Sequence, residues 1–115
     1  MQYLMLIYWD QAQDPDRSRE EIEARLDAYR AYTAEVRERG LMQGAEALQP
    51  PTVATTVRVQ GEKVLTTDGP FAETKEQLGG YYLLDCRDLD EAIEIAAKIP
   101  HAKTGCIEIR PVMKY

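Results

Sequence analysis

Tyr3-Leu4-Met5-Leu6-Ile7-Tyr8-Trp9 is apolar at both its odd and its even positions. A strand with one wet face alternates apolar with polar. A strand apolar on both faces is covered on both, so this run predicts a central strand. It is too short to cross a bilayer as a helix. It also lacks the basic flank and small-residue cleavage site of a signal peptide, so the expectation is a soluble, cytoplasmic protein.

Working outward, Asp10 to Arg17 is polar, contains Asp14-Pro15 and reads as a loop. Ser18 and Glu21 have capping-box spacing. Behind them Ile22, Leu26, Tyr29, Thr33 and Val36 mark one face of a helix over about 18–39 that Gly40 ends. Its other face carries Glu20, Glu23, Arg30, Glu35, Arg37 and Glu38, a solvated surface. Leu41 to Pro51 reads as irregular or as a short edge strand. Val53, Thr55, Val57 and Val59 alternate with smaller or polar residues and predict a strand near 53–59. Gln60-Gly61-Glu62 is a turn, and Lys63 to Thr67 returns as a hairpin partner. Strands near 80–87 and 105–113 flank a second helix near 89–99, capped by Asp88 and Glu91, with Leu89, Ala92, Ile93, Ala96 and Ile99 as its apolar face.

The order β-α-β-(β)-β-α-β, with the extra hairpin strand set aside, is the ferredoxin-like split βαβ pattern: an α+β fold with two helices on one face of an antiparallel sheet. The apolar character of the first strand then needs a cover for the helix-free face. Two such sheets packed face to face, a homodimeric α+β barrel, supply it. At 115 residues the chain is one domain, 1–115, large enough for a core without metal or disulfide.

A net charge of −6 argues against nucleic acid as a partner. Cys86 and Cys106 form no CxxC pair, and no metal or cofactor is expected. Both cysteines are expected as buried free thiols, kept apart by the first strand.

Asp68-Gly69-Pro70-Phe71-Ala72-Glu73-Thr74-Lys75-Glu76 resembles the signature of the DGPF-domain branch of the YCII-related family. The likeness extends through Leu48-Gln49-Pro50-Pro51 and Ala54-Thr55-Thr56-Val57-Arg58 before it. After it come Leu78-Gly79-Gly80-Tyr81-Tyr82 and Arg110-Pro111-Val112-Met113, so nearly the whole chain is covered. The resemblance implies the dimeric α+β barrel. It does not imply a particular reaction, because members of the family are mostly of unassigned activity. It also implies a connection with extracytoplasmic-function sigma factors, often linked with DGPF proteins. Relatives outside this branch carry a histidine in the first-helix region that is suspected of catalysis; none stands between Ser18 and Gly40 here.

Several residues are candidates for chemistry, each with a plainer structural alternative. Asp68, Glu73 and Lys75 are the candidate catalytic groups, with Gly69, Pro70, Phe71, Tyr81 and Arg110 as candidate ligand contacts in a cleft beside the Asp68–Lys75 loop. The alternative is a structural turn in which Asp68 holds backbone N–H groups and Glu73, Lys75 and Glu76 make surface ion pairs. Phe71 is expected to bury its ring and pin the loop. His101, the only histidine, suits proton transfer, but its place after the second helix is also that of a charge complementing the helix dipole. Tyr8, Trp9, Tyr29, Tyr32, Tyr81 and Tyr82 either line a pocket for a small aromatic or acyl molecule or belong to the core. Glu108 and Arg110 share one side of the last strand, at the barrel interior or at a rim. Two functions remain open at this level: an enzyme or binding protein for a small polar metabolite, and a non-enzymatic regulatory module whose partner is a sigma factor.

Overall fold

The computed structural model of the chain describes residues 1–13 and 18–115; Asp14-Pro15 of the expected loop lies outside the described residues. The fold is α+β. Strand β1 (Gln2–Trp9) is followed by helix α1 (Arg19–Glu38), strands β2 (Met42–Ala47), β3 (Thr55–Gln60), β4 (Lys63–Asp68) and β5 (Gln77–Asp85), helix α2 (Leu89–Ala96) and strand β6 (Cys106–Pro111). Four strands form an antiparallel sheet in the order β2-β5-β1-β6, and β3 and β4 form a separate two-stranded sheet. β1 is central, as its two apolar faces require.

The strand near 53–59 is real, but it does not join the main sheet. The edge position beside β5 belongs to β2, from the stretch read as irregular or edge. β2 is poor in β-branched residues, yet it follows α1 directly and pairs with β5 from Met42↔Leu84 to Ala47↔Gly80. The turn at α1's end sets that path. Gly40, at φ 73°, is the left-handed residue, the Gly40 N–H donates to the Arg37 carbonyl and the Leu41 N–H to the Val36 carbonyl. This pair of hydrogen bonds turns the chain back against the sheet. Among the described residues the Val- and Thr-rich segment that follows pairs only with itself, Thr55↔Asp68 through Gln60↔Lys63, around Gly61.

Both expected helix caps form. The Glu21 N–H donates to Ser18 Oγ at 3.1 Å and the Glu91 N–H to Asp88 Oδ1 at 2.9 Å. The Glu91 carboxylate is itself buried: it accepts the Arg87 N–H at 2.8 Å and pairs with the Arg87 and Arg39 guanidinium groups at 3.1 and 3.5 Å. The core lies between sheet and helices: Tyr3, Met5 and Ile7 of β1, Tyr82 and Leu84 of β5, Tyr32 and Val36 of α1, and Ala92, Ile95, Ala96 and Ile99 around α2. Ile95 therefore replaces the expected Ile93, which is half exposed.

Cys86 is buried and Cys106 is exposed; both are free. The expectation of two buried thiols fails at Cys106 because it sits on the helix-free side of an edge strand, opposite Tyr8. β1 does separate the two cysteines. The helix-free face presents Leu4, Leu6 and Tyr8 of β1, with Tyr81 and Leu83 opposite them on β5 and Arg110, Glu108 and Cys106 on β6. Among the described residues no helix is long and apolar enough to cross a membrane.

Candidate functional site: a cavity under the first half of α1

The apolar stripe of α1 is only half used. Tyr32 and Val36 are buried, while Ile22 and Leu26 remain 49% and 48% exposed. The N-terminal half of the helix stands off the sheet, and a cavity of about 380 Å³ opens under it. Its walls include Arg25, Leu26 and Tyr29 of α1, Ile7 and Trp9 of β1, the Gly79–Tyr82 run of β5, the β2 segment Ala45 to Ala47, and His101. That volume suits a small metabolite, and its walls are mainly apolar with a few polar groups.

His101 is not a solvent-facing helix-end charge. It sits in a short 3₁₀ turn, Pro100–Ala102, and is 3% exposed. Its carbonyl accepts the Thr104 and Gly105 N–H groups, which fixes the turn over the end of β1. Its ring stacks on Trp9, with centroids 3.8 Å apart and planes 13° from parallel. Nδ1 lies 2.5 Å from the Tyr29 hydroxyl. Burial pushes the Tyr29 phenol up to about 12, so at neutral pH it keeps its proton and shares a hydrogen bond with Nδ1. Trp9, on the same wall, holds a buried indole N–H with no hydrogen-bond partner among the described residues. The neighbouring phenols are accounted for: Tyr32 donates to the Ile95 carbonyl at 2.9 Å, and Tyr82 shares a 2.8 Å bond with Thr33.

Gly79 makes the Trp9 position possible. A Cβ there would lie 1.9 Å from Trp9 Cζ3. The β1–β5 register shifts between Ile7 and Tyr8, so Gly79 is the extra residue of a bulge. The bulge and the missing side chain let the indole lie flat on β5, where it supports the imidazole.

The residues singled out around the signature are placed differently. Asp68 ends β4, and Gly69, at φ 98°, donates its N–H to the Ala54 carbonyl while its own carbonyl accepts from Thr56. Lys75 lines a second, shallower groove of about 860 Å³ with Tyr8, Asp10, Thr74, Glu76, Thr104, Cys106 and Glu108. Asp68, Gly69, Pro70, Phe71, Glu73 and Arg110 line neither of these two cavities. Phe71 is 80% exposed, so within one chain it does not pin the loop; the segment after Gly69 leaves the hairpin root without meeting the core. Arg110 pairs with Glu108 at 3.7 Å on the helix-free face. Tyr81 alone of the expected ligand contacts borders the cavity under α1, although its register with Leu6 assigns its side chain to the helix-free face; Trp9, Tyr29 and Tyr82 of the aromatic set also line it. Among the described residues no group of three or more His, Cys, Asp or Glu is placed to hold a metal ion.

The YCII-related domain matches residues 1–115. The chain belongs to the YCII-related family. It is also 39% identical over 117 residues to the uncharacterized protein R00369 of Rhizobium meliloti (strain 1021), a match that covers all of this chain and 94% of that one.

Proposed function

We propose that this is a cytoplasmic small-molecule protein whose ligand occupies the cavity under α1. The carrying observation is the Trp9–His101–Tyr29 cluster: a buried imidazole held by a stack on one side and a phenol on the other, on the wall of a 380 Å³ cavity. Such a ring is oriented rather than merely packed, and an imidazole held in this way suits proton exchange with a ligand oxygen or nitrogen. The Trp9 indole N–H and the Arg25 guanidinium add donors to a largely apolar enclosure. The fitting ligand is a small planar or acyl molecule bearing a carbonyl or carboxylate. Where the ligand reacts, His101 is the proton carrier.

A second reading places the ligand in the shallow groove beside the signature loop, with Lys75 as anion anchor and Asp68 or Glu73 as acid–base groups. The presence of Lys75 and Thr74 in that groove favours it. Its openness to solvent and the separation of Asp68 and Glu73 from it make it the weaker of the two.

The pairing of two copies through their helix-free sheet faces completes the proposal. Leu4, Leu6 and Leu83 share that face with Tyr8 and Tyr81, while the core helices pack on the opposite face. Thermal-shift screening of a metabolite library, followed by amide spectra with each hit, separates these readings. Shifts centred on the Trp9 indole, Gly79 and Gly80 support the cavity; shifts centred on Thr74, Lys75 and Cys106 support the groove. Absence of any hit, together with capture of a sigma factor, would favour the regulatory role instead.

A further inference from the structure

Among the described residues the β3–β4 hairpin forms a separate sheet whose two strands pair with each other and not with the main sheet. Its two strands are exposed almost throughout. The pairing register places Val59 opposite Val64 and Val57 opposite Thr66, so Val57, Val59 and Val64 share one face. Arg58, Gln60 and Lys63 stand on the other, with Leu65 opposite Arg58. The three valines are 59–68% exposed against 39% for Leu65, so the valine face is the barer of the two. A two-stranded hairpin is marginal in water by itself and needs something to pack against. The segment that leaves it ends in another bare apolar group, Phe71.

The dimensions of the whole chain say how much cover is missing. The described fold is a slab of 46 × 45 × 18 Å, with a radius of gyration of 16.1 Å against about 13 Å for a compact domain of this length. Its accessible surface is 8354 Å². A compact monomer of 13.1 kDa exposes about 6,400 Å². The excess, about 2,000 Å², is more than twice the roughly 800 Å² that one partner gives to a standard interface. It matches what a subunit of an obligate dimer exposes when it is taken alone.

From this we propose that the β3–β4 hairpin is a clasp for a second copy of this chain, laying Val57, Val59, Val64 and Phe71 on the partner. The inference rests on the pairing of copies proposed above and adds a separate contact to it. The thinness of the slab shows that the hairpin extends sideways from the body rather than folding back over either face of its own sheet. In a face-to-face pair such an arm reaches past its own edge strand and meets the other copy. The Lys63 and Arg58 side then faces water, which keeps the arm soluble before assembly.

Light scattering on the full chain, with Val57→Asp, Val59→Asp and the sheet-face change Leu6→Glu, tests the inference. Wild type is expected at twice the chain mass at micromolar concentration. Each arm variant is expected to weaken the dimer at least tenfold while circular dichroism keeps its helical signal. Lysine cross-linking of mixed ¹⁴N and ¹⁵N chains supplies a readout independent of those substitutions: Lys63 is expected in links between light and heavy copies. If Leu6→Glu dissociates the dimer, the arm variants leave it intact and Lys63 links only within one chain, the clasp is refuted and the sheet-face pairing stands. A wild-type monomer would overturn both, and would mean that this chain is not the arm's partner.

Discussion

Trp9 and His101, ninety-two positions apart in sequence, stack with ring centroids 3.8 Å apart and planes 13° from parallel. One ends the central strand and the other sits in the turn after α2. Their contact joins the sheet to the connection that leads into β6, and it forms one wall of the cavity.

Gly79→Ala tests how closely that wall is fitted. The added methyl would sit 1.9 Å from the Trp9 ring, so the ring must move. Overpacking of this kind costs about 1–3 kcal/mol. The expected result is a lower denaturation midpoint and a changed emission maximum, read without ambiguity because Trp9 is the only tryptophan.

Tyr29→Phe removes the hydroxyl held 2.5 Å from His101 Nδ1 and keeps the ring. Loss of a partly buried hydrogen bond costs about 1 kcal/mol. The pH dependence is more diagnostic. Burial first of all raises the Tyr29 phenol from 10.0 to about 12, so the folded state holds its proton after the unfolded state has lost it. The associated stability is complete below pH 10 and disappears as pH rises towards 12. Melting temperatures between pH 9 and 12 should fall less steeply in Tyr29→Phe than in wild type.

Glu91→Ala should be the most damaging single carboxylate change. Glu91 is buried, receives the Arg87 N–H and lies against two guanidinium groups. Removal strands the N–H and loosens both arginines, at a cost of about 2–4 kcal/mol. Urea denaturation should show a lower midpoint with an unchanged slope.

Cys106 reports on the helix-free face. In one copy it is exposed while Cys86 is buried. Burial, with help from the Glu76 carboxylate, pushes the Cys106 thiol above its ordinary range, so reaction with a disulfide reagent should quicken with rising pH. When copies pair by this face, Cys106 should react slowly in wild type and at least several-fold faster in Leu6→Glu. Equal rates would argue that the face is open.

The sequence reveals the sheet more readily than the site. The two-sided apolar run suffices for β1, alternation for β6, and capping residues with an apolar stripe for α1 and α2, because each of these patterns is written locally. β2 is nearly silent: Met42-Gln43-Gly44-Ala45-Glu46-Ala47 has little strand character, and its place depends on the Gly40 turn and on β5. The Val-rich hairpin speaks loudly as β-structure yet says nothing about which sheet it joins. In the site, Trp9, Tyr29, Tyr81 and Tyr82 are recognisable as aromatic candidates. His101 can be named from the sequence as a proton-transfer candidate but not placed in the site, since its partners lie 72 and 92 positions away and no spacing announces them. The odd-position register of β1 is the one available clue, because it sends Trp9 to the same side as Tyr3, Met5 and Ile7.

The most direct test of the central claim is a titration of Trp9 emission with benzoate, salicylate and other small planar carboxylates, run on wild type, Ala45→Phe and Lys75→Ala. Ala45 and Trp9 line the cavity under α1, and Lys75 lines the separate groove. Saturable quenching by at least one member of the panel is expected, lost when Phe fills the cavity and retained in Lys75→Ala. Quenching that survives in Ala45→Phe and vanishes in Lys75→Ala, or a flat response to the entire panel, would contradict it.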